Sequence, residues 1–200
     1  MPRLIPILLL LGLSCTQNRG ASKSGITEAP AKADTIRNKI YTTAIRFSEE
    51  KLWIYNASYY AIPYPGGDVP SGGACTDVVI RALREHGIDL QQLIHDDMES
   101  CFSCYPQKWG ASKPDPNIDH RRVPNIMAYF DRKHYALAPS RKMSDYRPGD
   151  IVTWELSPGV THIGICLKNG DIYHNIGPWA RIDKAAVFNY KVIGHYRVPV

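Results

Sequence analysis

Apolar positions between residues 36 and 47 recur at helical spacing: Ile36, Ile40, Ala44 and Phe47 fall on one face, separated by polar and charged residues. With Asp34 placed to cap the first turn, the pattern predicts an amphipathic helix over residues 35–54. Val78, Val79, Ala82 and Leu83 predict a second helix over 76–86, closed by Gly87. Pro124 suits the first turn of a third, over 124–133. Residues 55–73 are aromatic and rich in Pro and Gly and read as loop, and 96–120 read as a long irregular stretch. From residue 150 the pattern becomes that of strands, over 151–155, 162–168, 171–175 and 192–198, joined by short turns. Helices first and strands last imply the α+β class, with N-terminal helices packed on a C-terminal antiparallel sheet.

One long apolar run, Leu4 to Leu13, breaks this picture. It follows Met1-Pro2-Arg3, is too short to cross a bilayer as a helix, and precedes Ser14-Cys15. Residues 1–15 therefore read as a signal peptide whose Cys15 resembles a bacterial lipoprotein processing site. Thr16 rather than Asp after that Cys favours the outer membrane by the same resemblance, so the protein is expected to be periplasmic. Residues 16–33, rich in Ser, Gly, Ala, Pro and Lys, read as a flexible tether, leaving 34–200 as the folded domain. The chain has 200 residues, 44% of them hydrophobic and 22% charged, which suits one globular domain. It carries 24 Lys plus Arg against 19 Asp plus Glu, a net +5 that is too small and scattered to indicate a nucleic-acid partner.

Five cysteines occur, at 15, 75, 101, 104 and 166. Cys166 lies among strand residues and reads as core. Cys101 and Cys104 form a CxxC, read first as a local disulfide in an exported protein, with two free thiols and a redox role as the alternatives. Cys75 differs, because it follows Ser71-Gly72-Gly73-Ala74 and opens a helix. Exposed N–H groups and the dipole at a helix start stabilise thiolate and are expected to lower the thiol pKa. A nucleophilic Cys needs a base, and the base needs an orienting partner. His162 and His174 are the candidates, flanking the turn Lys168-Asn169-Gly170-Asp171. A two-residue turn puts them on opposite faces of the sheet. A three-residue loop, a type I turn followed by left-handed Gly170, puts them on one face with Gly164 beside His174. The second is expected if they act together. Asn175 and His195 are reserves for the orienting position.

These elements resemble the NlpC/P60 superfamily of papain-like cysteine peptidases: Tyr64-Pro65-Gly66-Gly67 ahead of Cys75, Pro148-Gly149-Asp150 ahead of the first long strand, and His162-Ile163-Gly164-Ile165 followed by Asn169-Gly170 and His174. The Trp of the family's first motif is absent, and Ala74-Cys75-Thr76 stands where Asp-Cys-Ser is usual. A closer resemblance is to the branch called DUF1287, carried by Cys75-Thr76-Asp77-Val78-Val79-Ile80-Arg81-Ala82, by the segment from Pro114 to Val123, by His174-Asn175-Ile176-Gly177 and by Gly194-His195-Tyr196-Arg197. The resemblance implies a cysteine hydrolase acting on amide bonds of peptidoglycan stem peptides. Cys75 is the nucleophile, His162 the base and His174 its orienter. Tyr64 and the Cys75 N–H would supply oxyanion donors. No metal or organic cofactor is implied, the only membrane contact is the lipid anchor, and a monomer is expected. Asp119, His120, Arg121 and Arg122 either bind a substrate carboxylate or tie down a loop. A metal site from Asp115, Asn117 and Asp119 lacks the Gly and distal Glu of a calcium loop. The alternatives are a cysteine acyltransferase or non-peptide amidase, and a non-catalytic cell-wall-binding module.

Overall fold

The computed structural model describes residues 29–50 and 53–199. The expected signal peptide, Cys15 and residues 16–28 of the expected tether lie outside the described residues. The first helix, α1, spans Ala29–Glu50 and so begins inside the segment read as tether. Alanine is the strongest helix former and Pro30 is tolerated in a first turn, which extends the helix backward from its apolar stripe. That stripe, Ile36, Ile40, Ala44 and Phe47, is buried as its spacing predicts. Helix α2 spans Cys75–Arg84, α3 Leu90–Ser100 and α4 Val123–Arg132. Helix α3 was not expected. Asp89 caps it by accepting from the Gln91 N–H at 3.2 Å, and it buries Leu90, Ile94 and Met98, spaced four apart.

Six antiparallel strands follow: β1 (Ala136–Leu137), β2 (Ile151–Ser157), β3 (Val160–Cys166), β4 (Ile172–Asn175), β5 (Ala180–Asp183) and β6 (Lys191–Tyr196). Their order in the sheet is β1-β6-β2-β3-β4-β5. Ile151, Ile163, Ile165, Tyr173 and Tyr196 face the helices and join their core. Val152, Trp154, Cys166 and Ile172 form a smaller core on the other face with Tyr146, Ala186 and Val187. There the Trp154 indole N–H donates to Val187 O at 2.8 Å. Each large side chain so buried contributes about 1.5–3 kcal/mol. Cys166 is a core residue as expected, and the α+β reading holds.

Strands β3 and β4 pair Ile165 with Tyr173 and Cys166 with Ile172, the register that places His162 and His174 on one face. The turn that produces it is not a type I turn with only Gly170 left-handed, because Asn169 also has positive φ (59°) beside Gly170 (74°). Asn tolerates this conformation because its short polar side chain can bond locally. Three loop residues still separate Leu167 from Asp171, whose N–H and C=O are joined at 2.7 Å, so the register is the expected one.

Candidate active site

Helix α2 begins at Cys75 because the preceding backbone is pinned. The Ala74 N–H donates to Asp77 Oδ2 at 2.6 Å, the reciprocal half of a capping box. Asp77 is gripped in turn by Arg121, whose Nε lies 3.0 Å from Oδ1 and whose Nη2 lies 3.0 Å from Oδ2. Arg121 also donates to Ser58 O and Asn56 O, tying the 55–73 loop to the helix start. Gly73 admits this arrangement, since a Cβ there would sit 2.8 Å from Asp77 Cβ. The Asn175 amide donates to Gly73 O at 2.8 Å and to Trp53 O at 3.2 Å, so Asn175 holds the approach to Cys75.

Cys75 is 8% exposed. The backbone N–H groups of Ile163, Thr76 and Cys75 itself lie near enough to its sulfur to favour a thiolate. The Ile163 N–H lies beyond the last β3–β4 pair and belongs to the peptide that joins it to His162. The sulfur therefore lies near the backbone of the expected base. Burial nevertheless pushes the thiol up to about 11, outweighing the N–H groups, and Asp77 adds to the rise. The expected lowering at a helix start is thus reversed, because desolvation of the thiolate is the larger effect at a closed site.

His162 and His174 come together as expected, with Nε2 of the first 2.9 Å from Nδ1 of the second. Gly164 makes room: a Cβ there would lie 2.8 Å from Ile172 Cγ2 and 3.0 Å from His174 Cβ. Both rings are 4% exposed and lie on the Trp154 side of the sheet. Burial, with His174 adding to it, holds His162 down at about 3, and burial also lowers His174. Among the described residues His162 Nδ1 has no hydrogen-bond partner, and no hydrogen bond joins it to Cys75. A cavity of about 40 Å³ adjoins the pair, lined in part by Trp154, Asp183 and Tyr190 and large enough for a water molecule. Asp183 of β5 completes the row, its Oδ2 3.0 Å from His174 Nε2. The sequence reading missed it along with β5, although the alternation Ala180, Arg181, Ile182, Asp183 carries a strand signal.

The other expected site residues lie elsewhere. The Tyr64 hydroxyl is committed to Asp96 at 2.7 Å. Burial raises the Tyr55 hydroxyl and a Cys75 thiolate adds to the rise, which puts this tyrosine, a residue the sequence reading passed over, near the sulfur. Asp119, His120 and Arg121 are buried, and Arg121 and Asp119 spend hydrogen bonds on loop backbone. Asp119 accepts from the Asp115 N–H, and Arg122 lies over the Trp109 ring at 5.1 Å. His195 is 2.8 Å from buried Asp150, which Arg197 also holds, and it stacks on Tyr146. Its position is structural, and it takes no part in orienting His162. Cys101 and Cys104 form a disulfide at the C-terminal end of α3. Asp115 accepts from the Asn117 N–H and the Tyr59 hydroxyl, and the Asn117 side-chain oxygen accepts from the Ile62 N–H. Among the described residues no group of three or more His, Cys, Asp or Glu is arranged to hold a metal ion.

A family model described as "Domain of unknown function (DUF1287)" matches residues 43–198. The chain is similar to a protein described as uncharacterized protein YijF from Escherichia coli (strain K12), 47% identical over 150 residues that cover 72% of this chain and 73% of that protein. Solved structures similar to it include NlpC2 and NlpC1 from Trichomonas vaginalis, with TM-scores of 0.45 and 0.44 and identities of 16% and 14%. These cover 81% and 89% of this chain, which spans about half the length of each (47%).

Proposed function

From the premise that the chain belongs to the DUF1287 family, we propose that it is a cysteine hydrolase cleaving amide bonds in peptidoglycan stem peptides, with Cys75 as nucleophile, His162 as base and His174 as orienter. The observation that carries this reading is the histidine pair with one ring nitrogen unengaged, with the Cys75 sulfur lying near the peptide N–H that joins His162 to Ile163. The Cys75 proton passes to His162 Nδ1 while sulfur attacks the amide carbonyl carbon. The resulting oxyanion takes hydrogen bonds from backbone N–H at the start of α2 and from the Tyr55 hydroxyl, in the role expected of Tyr64. His162 then gives its proton to the leaving amine, and water releases the acid from the thioester. The substrate class comes from the NlpC/P60 resemblance in the sequence. An exported, lipid-anchored protein would stand beside that polymer, and the Cys101–Cys104 disulfide suits an oxidising compartment.

Purified peptidoglycan is incubated with wild type and with Cys75→Ala, and the soluble products are read by mass spectrometry. Stem-peptide fragments from wild type alone are the expected result. Fragments from both proteins, or from neither, overturn the proposal. One observation favours a second reading, acyl transfer by the same thiol. Cys75, His162 and His174 are nearly sealed from solvent, which suits delivery of an acyl group to an acceptor other than water. A product mass that carries an added amine distinguishes it. A redox role for Cys101 and Cys104 is disfavoured by their place at a helix C-terminus, where the dipole opposes thiolate.

A further inference from the structure

Strand β5 supplies a group that a cysteine–histidine pair does not by itself require. Asp183 shares a sheet face with His174, one strand over, in a register that pairs His174 with Arg181 and Ile172 with Asp183. Its Oδ2 lies 3.0 Å from His174 Nε2. Arg181 holds the same carboxylate, Nε to Oδ1 at 2.8 Å and Nη2 to Oδ2 at 3.3 Å. A carboxylate held this way offers only lone pairs, so the proton between Asp183 and His174 belongs to His174 Nε2. Neutral His174 then carries its lone pair on Nδ1 and accepts there. The ring–ring hydrogen bond of 2.9 Å must draw its proton from His162 Nε2. The lone pair of neutral His162 is thereby left on Nδ1, the nitrogen with no hydrogen-bond partner among the described residues.

We infer that Asp183 is a positioning residue for Cys75: acting through His174, it fixes His162 in the one neutral tautomer that can take the thiol proton. The inference rests on the proposed transfer from Cys75 to His162. In that step the S–H bond breaks, its electron pair stays on sulfur and the proton binds His162 Nδ1. The imidazolium so formed keeps donating from Nε2 to His174, which keeps donating to Asp183. The relay requires no change of tautomer.

Asp183→Asn tests it, because Arg181 dictates how the amide sits. The short contact from Arg181 Nε demands the amide oxygen at the Oδ1 position, which turns the NH₂ toward His174 Nε2. His174 must then accept at Nε2 and donate from Nδ1, and His162 must accept at Nε2 and carry its proton on Nδ1, where it cannot act as base. Asp183→Ala leaves His174 free to choose and is the milder change. In a Ser–His–Asp triad, converting the carboxylate directly behind the base to an amide lowers kcat about 10⁴-fold, which bounds an effect transmitted through one further ring. The first readout is alkylation of Cys75 by iodoacetamide at neutral pH, with Cys75→Ala as blank. The second is the ¹⁵N spectrum of His162, which reports the tautomer. The expected result is at least a tenfold slower alkylation in Asp183→Asn, a smaller loss in Asp183→Ala, and a His162 spectrum that switches from Nε2–H to Nδ1–H only in the Asn variant. Alkylation at the wild-type rate in Asp183→Asn, a loss in Ala equal to that in Asn, or an unswitched spectrum overturns the inference. His162→Ala separates the two levels. If it alkylates as fast as wild type, the proposed function fails and the inference with it; if it is slow while Asp183→Asn is fast, only the inference fails. The Asp183 side chain is about one-third exposed, so these variants are expected to fold, which thermal unfolding checks.

Discussion

Arg121→Met puts the support of Cys75 to a direct test. The Arg121 and Asp77 side chains are 2% and 4% exposed and are joined at 3.0 Å. Methionine fills similar volume but leaves the Asp77 carboxylate buried without its cation, and leaves Ser58 O and Asn56 O without their donor. Removing one partner of a buried ion pair costs about 3–5 kcal/mol, against about 0–1 kcal/mol for an exposed pair. A domain holds only about 5–15 kcal/mol in all, so the loss is a large share of its stability. At a urea m-value of about 2 kcal/mol/M the midpoint falls by about 1.5–2.5 M. Arg121→Lys keeps the charge but loses the fork, and is expected to fall between the two. Urea unfolding of the three proteins, followed by circular dichroism, measures this. A midpoint shift in Arg121→Met worth less than about 1 kcal/mol, at unchanged m, refutes the reasoning and makes the pair dispensable.

Other expectations follow from the same geometry. Gly164→Ala forces a Cβ against Ile172 and His174 and parts β3 from β4; it should cost about 1–3 kcal/mol in urea unfolding and remove far more peptidoglycan cleavage than that instability explains. Acid should destabilise the fold, since burial holds His162 and His120 at about 3 while the unfolded chain titrates near 6.5. Between those values the unfolded state binds more protons, so stability rises with pH and is lost as pH falls below about 6.5, by up to about 1.4 kcal/mol per pH unit for each histidine. Equal urea midpoints at pH 7.5 and 5 would contradict this. Cys101→Ser/Cys104→Ser opens a loop of separation 3, for which chain entropy allows about 2 kcal/mol. Its cleavage rate should match wild type, and loss of activity in a folded double variant would restore a redox role.

Much of this was legible in the chain, and the failures share a cause. The stripe on α1 and the strands β2, β3 and β4 could be read because the period of burial equals the period of the backbone. The histidine register could be read because only one loop length puts positions 162 and 174 on a common face. Helix α3 was missed although Asp89, Leu90, Ile94 and Met98 signal it, because the charged residues between them mask a narrow apolar stripe. Strand β5 was missed because it is four residues long and half of it is charged, those charges being spent on His174 and on each other. The choice between Tyr55 and Tyr64 depends on the path of a loop rich in Pro and Gly, which local sequence does not specify. The sign of the Cys75 shift depends on burial, a property of the assembled layers and not of the helix start alone.

That sign also constrains how the site can work. With the thiol near 11 and His162 near 3, both partners are neutral across the ordinary pH range, and a resting thiolate–imidazolium pair is disfavoured by desolvation of both charges. Charge must then appear during attack, when the N–H groups of Ile163, Thr76 and Cys75 face a sulfur that is becoming anionic. Hydrogen bonds that strengthen only as charge develops favour the transition state over the ground state, which is the condition for catalysis and not merely for binding. The same burial explains why tautomer control matters here more than at an open site. A solvated imidazole exchanges protons with water and recovers its reactive form, whereas His162, 4% exposed, must receive the correct form from its neighbours. In the proposed mechanism the Asp183–His174 pair delivers it, and for that reason the neutral site could remain dry and still act on a substrate amide.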